Sequence, residues 1–351
     1  MKVLVTGSSG LIGSAAVRHW DHLGADVVGI DNNMRETFFG PGGSTLWNLE
    51  RLIAQTTRFE HQDLDIRNRE AIDALFRAHE FELIIHCAAQ PSHDKAKEIP
   101  LVDFDVNAGG TINLLEAARR YAPKSVFCHM STNKVYGDAP NEIPLVELET
   151  RWDYRDSVDY QGITEECRID RTTHSLFGAS KLAADVIAQE FGRYFGMNVG
   201  VFRGGCLTGA DHSGVELHGF LSYLVHVSVT GKPYTIFGYG GKQVRDQIDS
   251  SDVVTAFEAF AASPRPGEVY NLGGGRENAA SVLECIQLIE EMSAYRVRHT
   301  YSETNRVGDH ICYISNVSKF KQHYPNWTVR HNLRDILAGM FEQEERKHRL
   351  R

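Results

Sequence analysis

An α/β fold built on a doubly wound parallel sheet, with a smaller C-terminal lobe, is predicted by three observations. The chain opens with a β-rich run, V-L-V-T at 3–6, that passes straight into the glycine turn T-G-S-S-G-L-I-G. Strand-like and helix-like stretches then alternate through the first half. Glycine-rich turns at 237–241 and 273–275 break that rhythm in the second half. Strand, helix, strand at this spacing implies right-handed crossovers and parallel pairing.

The elements follow in order. An amphipathic segment at 11–23 leads to A-D-V-V-G-I at 25–30, a second strand ending at Asp31. L-I-I-H-C-A at 83–88 and S-V-F-C-H-M-S at 125–131 have strand composition, and T-I-N-L-L-E-A-A-R-R-Y between them has helical periodicity. Residues 176–195 form another helix and N-V-G-V-F-R at 198–203 another strand. Helices are expected near 217–230 and 279–293. The expected division is 1–203, with 246–274 returning to it, as one domain, and 204–245 with 275–351 as the lobe. The charged, aperiodic stretch at 138–173 reads as a partial lid or a surface excursion.

Composition narrows the function. The chain has 351 residues, 42% hydrophobic and 24% charged, enough for a sizeable core. Its formal charge of −9 excludes non-specific nucleic-acid binding, which needs a basic surface. Six scattered cysteines without a C-x-x-C pair read as reduced thiols, not a zinc site or disulfide frame. No leader pattern or apolar run of spanning length is present, so a soluble cytoplasmic protein without membrane partners is expected.

The glycine turn points to a dinucleotide. Gly7, Gly10 and Gly13 follow the first strand and open a helix, where backbone N–H groups meet a pyrophosphate. Asp31 ends the second strand eighteen residues after Gly13. A carboxylate there accepts both ribose hydroxyls and repels a 2′-phosphate, favouring NAD over NADP, although Arg35 is close by.

The spacing T-G-x-x-G-x-x-G resembles the extended branch of the short-chain dehydrogenase/reductase family, and the likeness runs over nearly the whole chain. It implies a Rossmann-type cofactor domain, with Leu11, Ile12 and Asn32 beside the glycines and Asp31. D-I-R-N matches the adenine segment through Asp65 and Ile66, and H-C-A-A-Q matches the cofactor loop through Ala88, Ala89 and Gln90. Asn107 matches the family's structural asparagine, Thr132 its catalytic Ser/Thr, and Lys181 the lysine on the nicotinamide ribose. G-Y-G-G-K-Q-V-R-D and R-V-G-D resemble segments of the nucleotide-sugar members, implying that Arg245 and Arg306 meet a diphosphate; surface charge is the other reading. The resemblance also implies sugar contacts from Gln90, Thr132, Asn133 and Cys206, and a homodimer; G-V-E-L-H-G-F-L-S-Y-L-V at 214–225 reads as a helix beside the sugar with His218 as a polar contact, or equally as a core helix. M-S-T-N-K-V-Y-G-D, V-F-R and G-K-Q-V-R-D most resemble the CDP-paratose 2-epimerases. In related 4,6-dehydratases an Asp-Glu pair follows the threonine; here stand Asn133 and Lys134, which ranks dehydration below epimerisation. Lys134 acts near the sugar or anchors the loop.

One position departs from the family. Its catalytic tyrosine lies four residues before the lysine, and that position is Phe177. An uncompensated loss of general acid/base catalysis costs roughly 10²–10⁴-fold in rate. Tyr136, His174, Cys206 and a water relay from Lys181 are the replacements considered. Tyr136 and Cys206 read equally as packing residues. Two functions follow: an NAD-dependent nucleotide-sugar epimerase with a relocated acid/base group, or a catalytically silent NAD(H) or nucleotide-sugar binder.

Overall fold

The computed structural model describes residues 1–215, 218–304 and 308–349. Seven strands form the central sheet: β1 (Lys2–Thr6), β2 (Asp26–Ile30), β3 (Phe59–Gln62), β4 (Leu83–His86), β5 (Val126–Thr132), β6 (Asn198–Gly204) and β7 (Glu268–Leu272). Their order is β7-β6-β5-β4-β1-β2-β3, and β3 through β5 pair in parallel. Central strands are apolar on both faces because helices cover both: Val3, Leu4, Val5, Ile84 and Ile85 are fully buried. Helix Leu11–His22 buries Ile12, Ala16, Val17 and Trp20, one stripe at helical spacing. The strand order reverses between β1 and β4, which sets the loops carrying Gly7 and Ala88 side by side, the usual crevice for a ligand in such sheets.

The chain divides into two compact units. The first comprises Met1–Val135, Leu176–Arg203 and Val253–Tyr270. The second comprises Tyr136–Ser175, Gly204–Asp252 and Asn271–Arg351. In the second, Val244–Asp249 pairs with Ala279–Ser281, Cys312–Tyr313 and Cys206–Thr208. Its core gathers Leu224, Ile236, Ile286, Ile289 and Leu337. Helix Val282–Met292 begins there on a capping box between Ser281 and Glu284.

Residues 136–175, placed above in the first domain with a partial lid or surface excursion at 138–173, pack within the second unit. Leu145–Glu147 and Trp152–Tyr154 form a two-stranded ribbon. Arg276 binds both Asp153 oxygens at 2.7 and 2.8 Å and stacks 4.0 Å over the Tyr160 ring. Ile163 bridges to Ser315, and the left-handed Gly162 (φ +95°) sits so close to Ile314 that a Cβ would lie 2.2 Å from its carbonyl oxygen. These contacts tie the segment to the rest of the second unit. Among the described residues, no helix is long and apolar enough to cross a membrane, and no group of three His, Cys, Asp or Glu side chains is placed to hold a metal. All six cysteines are free thiols.

Candidate functional site

The turn after β1 is a cradle that only glycine tolerates. A Cβ on Gly13 would lie 2.0 Å from the Gly7 carbonyl oxygen, and one on Gly7 would lie 2.9 Å from Ala88 N. Gly7 has φ +66°, and its N–H donates to the Ile30 carbonyl at 2.8 Å. Gly10 stands at the N-cap of helix Leu11–His22, which has no side-chain cap and no acidic residue in its first turn. Its leading N–H groups therefore suit an anion. Leu11 is partly exposed and Ile12 is buried.

Asp31 holds the adjoining corner. Its carboxylate oxygens accept Ser9 N–H at 3.0 Å and Asn33 N–H at 2.8 Å. Asn32 donates to Asp65 at 3.1 Å, and Arg67 grips the same carboxylate through Nε and Nη2. Burial opposes the Asp65 charge, but the Arg67 hydrogen bonds outweigh it and its pKa falls below the usual value. Ile66 packs against Gly110, where a Cβ would come within 2.4 Å of Ile66 Cδ1. The Arg35 guanidinium lies 4.9 Å over the Phe39 ring. Burial lowers its pKa to about 10 against the pull of Asp31, so it stays charged at neutral pH.

Beneath the loop after β4 runs a closed chain of hydrogen bonds. Thr6 Oγ1 accepts from Cys87 N–H (3.2 Å) and Ala88 N–H (3.1 Å), so its own proton goes to His86 Nδ1 at 2.7 Å. His86 Nε2–H then donates to Thr111 Oγ1 at 2.9 Å, and Thr111 donates to the Asn107 carbonyl at 2.6 Å. This fixes one tautomer of His86. Burial, with Lys181 adding a like charge, lowers the His86 pKa to about 3. Folded His86 is neutral where the unfolded chain binds a proton, so stability is full above pH 6.5 and declines as pH falls from there toward 3. The loss approaches about 1.4 kcal/mol per pH unit. His86→Gln is expected to flatten this slope, read from urea midpoints at pH 7.5 and pH 5.

Asn107 joins that loop to the helix Leu176–Phe195. Its Oδ1 accepts Gln90 N–H at 2.9 Å, and its Nδ2 donates to the Gln90 carbonyl, Asp103 and Ser180 Oγ. Gln90 corrects an expectation. Its side chain is fully buried, with Nε2 bound to Asp103 at 2.6 Å and to the Ser92 carbonyl, and Oε1 accepting Ser92 N–H. The side chain ties the loop to Asp103 and Ser92. Ala88 and Ala89 remain partly exposed on the same loop.

Phe177 is 6% exposed, and the ring against it is His93, with centroids 4.8 Å apart. Sequence reasoning passed over His93. One turn on, Lys181 donates Nζ to the Met130 carbonyl at 2.9 Å. Burial lowers its pKa to about 8. On β5, Thr132 is partly exposed and its Oγ1 accepts Lys134 N–H at 3.2 Å, while Asn133 is buried. Behind the helix Asp185 takes Arg203 at 3.0 and 2.8 Å, Ser131 Oγ at 2.6 Å and Gln189 at 2.6 Å, all buried. This ion pair was also missed; its signal was an Asp and a Gln one helical turn apart on the buried face of the helix, and a lone Arg ending V-F-R.

Three of the expected replacements for the tyrosine, Tyr136, His174 and Cys206, lie in the second unit. Tyr136 is fully buried with its hydroxyl donated to Asn271 Oδ1 at 2.7 Å, which removes it as an acid or base. His174 Nε2 is bound to the Ile169 carbonyl at 2.9 Å, and its Nδ1 is a buried atom without a hydrogen-bond partner. Cys206 is partly buried on its short strand, and the His218 ring lies 5.4 Å from that of His212. Arg245 is buried, its guanidinium held by Asp309 and the His310 and Val244 carbonyls. Arg306 lies outside the described residues.

A model of the NAD dependent epimerase/dehydratase family matches residues 3–273. The chain belongs to that family. NAD is the family's cofactor, and the glycine cradle, uncapped helix and Asp31 corner suit it. Among relatives, CDP-paratose 2-epimerase of Salmonella typhi is 31% identical over 349 residues, 97% of this chain and 98% of that protein. The dTDP-glucose 4,6-dehydratase of Escherichia coli is 30% identical over 318 residues, 86% of this chain and 81% of that protein. Among solved structures, UDP-glucose 4-epimerase from Stenotrophomonas maltophila, with bound NAD and formylated UDP-arabinopyranose, superposes with a TM-score of 0.78 at 25% identity, covering 100% of both chains. Family members thus include both epimerases and dehydratases.

Proposed function

We propose that this family member is an NAD-dependent epimerase of a nucleotide-diphosphate sugar, acting on a CDP-hexose at C2. The observation that carries the choice is the end of β5. Thr132 is followed by Asn133 and Lys134, so the carboxylic acid and carboxylate that would remove and deliver protons in an elimination are missing there. The likeness to a CDP-paratose 2-epimerase along almost the whole chain supports the same reading.

The reading assigns each group a task. Gly7, Gly10 and Gly13 with the first turn of the following helix bind the pyrophosphate of NAD. Asp31 and Asn32 take the adenosine ribose, and Asp65 and Ile66 border the adenine. The chemistry NAD supplies when bound is reversible oxidation of a sugar carbinol to a ketone. Lys181 holds the nicotinamide ribose and places a positive charge beneath the reacting oxygen, and Thr132 Oγ1 donates a hydrogen bond to that oxygen. Arg245 meets the diphosphate by exchanging Asp309 for phosphate oxygens, which the bidentate guanidinium suits. Arg306, Cys206 and His218 are assigned to the same nucleotide-sugar half.

The test is turnover of CDP-, UDP-, GDP- and dTDP-hexoses, with products identified by NMR and mass. The expected product is the C2 epimer of a CDP-hexose at unchanged mass. A product lighter by one water would place the protein with the dehydratases. Saturable binding of every sugar without product would favour the silent binder that Phe177 alone suggests.

A further inference from the structure

Phe177 leaves the reaction without the family's phenolic oxygen, and the structure puts an imidazole against its ring. The contact between His93 and Phe177 spans elements far apart in sequence, yet it is firmly held. His93 is the first residue of the helix His93–Glu98, whose N-cap Ser92 accepts Lys95 N–H at 3.3 Å. Ser92 N–H in turn donates to Gln90 Oε1 at 2.7 Å. Gln90 N–H is bound by Asn107, and Asn107 Nδ2 donates to Ser180 Oγ at 3.0 Å. Ser180 completes the circuit by donating to the Phe177 carbonyl at 3.0 Å. One buried amide thus fixes both the loop that carries His93 and the turn that carries Phe177. Ring centroids 4.8 Å apart, with 55° between planes, set the imidazole against the ring that stands at the family's tyrosine position. His93 is partly exposed, unlike Tyr136, and a proton can reach it.

We propose that His93 is the acid/base residue that takes the place of the missing tyrosine hydroxyl, an inference that rests on the epimerase reading. In the forward half-reaction the O–H and C–H bonds of one sugar carbinol break and a C=O bond forms. The carbon-bound hydrogen and its electron pair pass to bound NAD, and the hydroxyl proton passes to the His93 imidazole. In the return half-reaction the hydrogen and electron pair come back to the opposite face of the same carbon, and the imidazolium returns the proton to oxygen. Protein and cofactor end as they began. Lys181 is a poor substitute base: its pKa of about 8 keeps it mostly protonated at neutral pH, and its Nζ is held by the Met130 carbonyl.

The test compares wild type, H93Q, F177Y and H93Q/F177Y with NAD and the sugar that wild type converts. H93Q is expected to lower kcat by roughly 10²–10⁴-fold. KM should stay within about threefold, since only the transition state loses a partner. Restoring the phenol in H93Q/F177Y is expected to recover at least about tenfold of that loss. A second readout is independent of turnover. The imidazole Cε1–H resonance absent from H93Q should shift when CDP is replaced by the CDP-hexose, because only the sugar reaches His93. Wild-type turnover with H93Q within about threefold of it would overturn the role of His93 and leave the epimerase reading standing. A slow H93Q that F177Y fails to recover, with a lowered melting temperature and no sugar-dependent resonance shift, would make His93 a packing residue and overturn the proposal. No conversion by wild type of any sugar it binds would overturn the epimerase reading, and the proposal with it.

Discussion

Gly13→Ala is expected to cost at least about 100-fold in NAD affinity, near 2.7 kcal/mol. The added Cβ would stand 2.0 Å from the Gly7 carbonyl oxygen and 2.7 Å from Gly7 C. Both are backbone atoms, so no side chain can turn aside. The start of the helix Leu11–His22 must move away from the turn, and its first N–H groups leave their places around the pyrophosphate. Overpacking of this kind also lowers stability by about 1–3 kcal/mol. Gly24→Ala is the control. Gly24 has φ +79° but no atom within 4 Å of its would-be Cβ, so it should lose about 1 kcal/mol of stability and leave cofactor binding unchanged. Calorimetric titration with NAD and thermal melting of both variants check the contrast.

Asp185→Ala is expected to destabilise the fold by about 3–5 kcal/mol. It strands the Arg203 guanidinium in a site where both side chains are at most 5% exposed, and it orphans the Ser131 hydroxyl and the Gln189 amide. The double variant D185L/R203M should recover part of that loss, because removing both charges leaves no buried charge unpaired, although Ser131 and Gln189 still lose their acceptor. Denaturant unfolding of D185L, R203M and the double measures the coupling. The pair also ties β5 and β6 to the helix that carries Phe177, Ser180 and Lys181, so the single variants should turn over slowly even where they remain folded.

The sheet was legible because its central strands are short apolar runs buried on both faces, and because its first turn needs glycines that no other residue replaces. The edge strand β3, with sequence F-E-H-Q, carries no such run and could not be read. The attachment of 136–175 to the second unit was illegible for a different reason. Its strands are three residues long, and what holds it, the Arg276 side chain and the Ser315 backbone, lies more than a hundred residues away. At the candidate site, motif spacing marks positions but carries no information on side-chain orientation. Gln90 and Tyr136 stand where the family pattern puts them, yet both spend their polar groups inside the protein. His93 could not be found by spacing, since its meeting with Phe177 depends on how the loop after β4 is pinned by Asn107.

The most direct test of the account is the fate of the hydrogen on the epimerised carbon. A CDP-hexose carrying deuterium at C2 would be converted in ordinary water and the product examined by NMR. Reversible oxidation at that carbon predicts that the C2 epimer keeps its deuterium, returned to the opposite face. An epimer that has exchanged deuterium for solvent hydrogen would mean proton abstraction from carbon, and the account of a redox epimerase would be wrong.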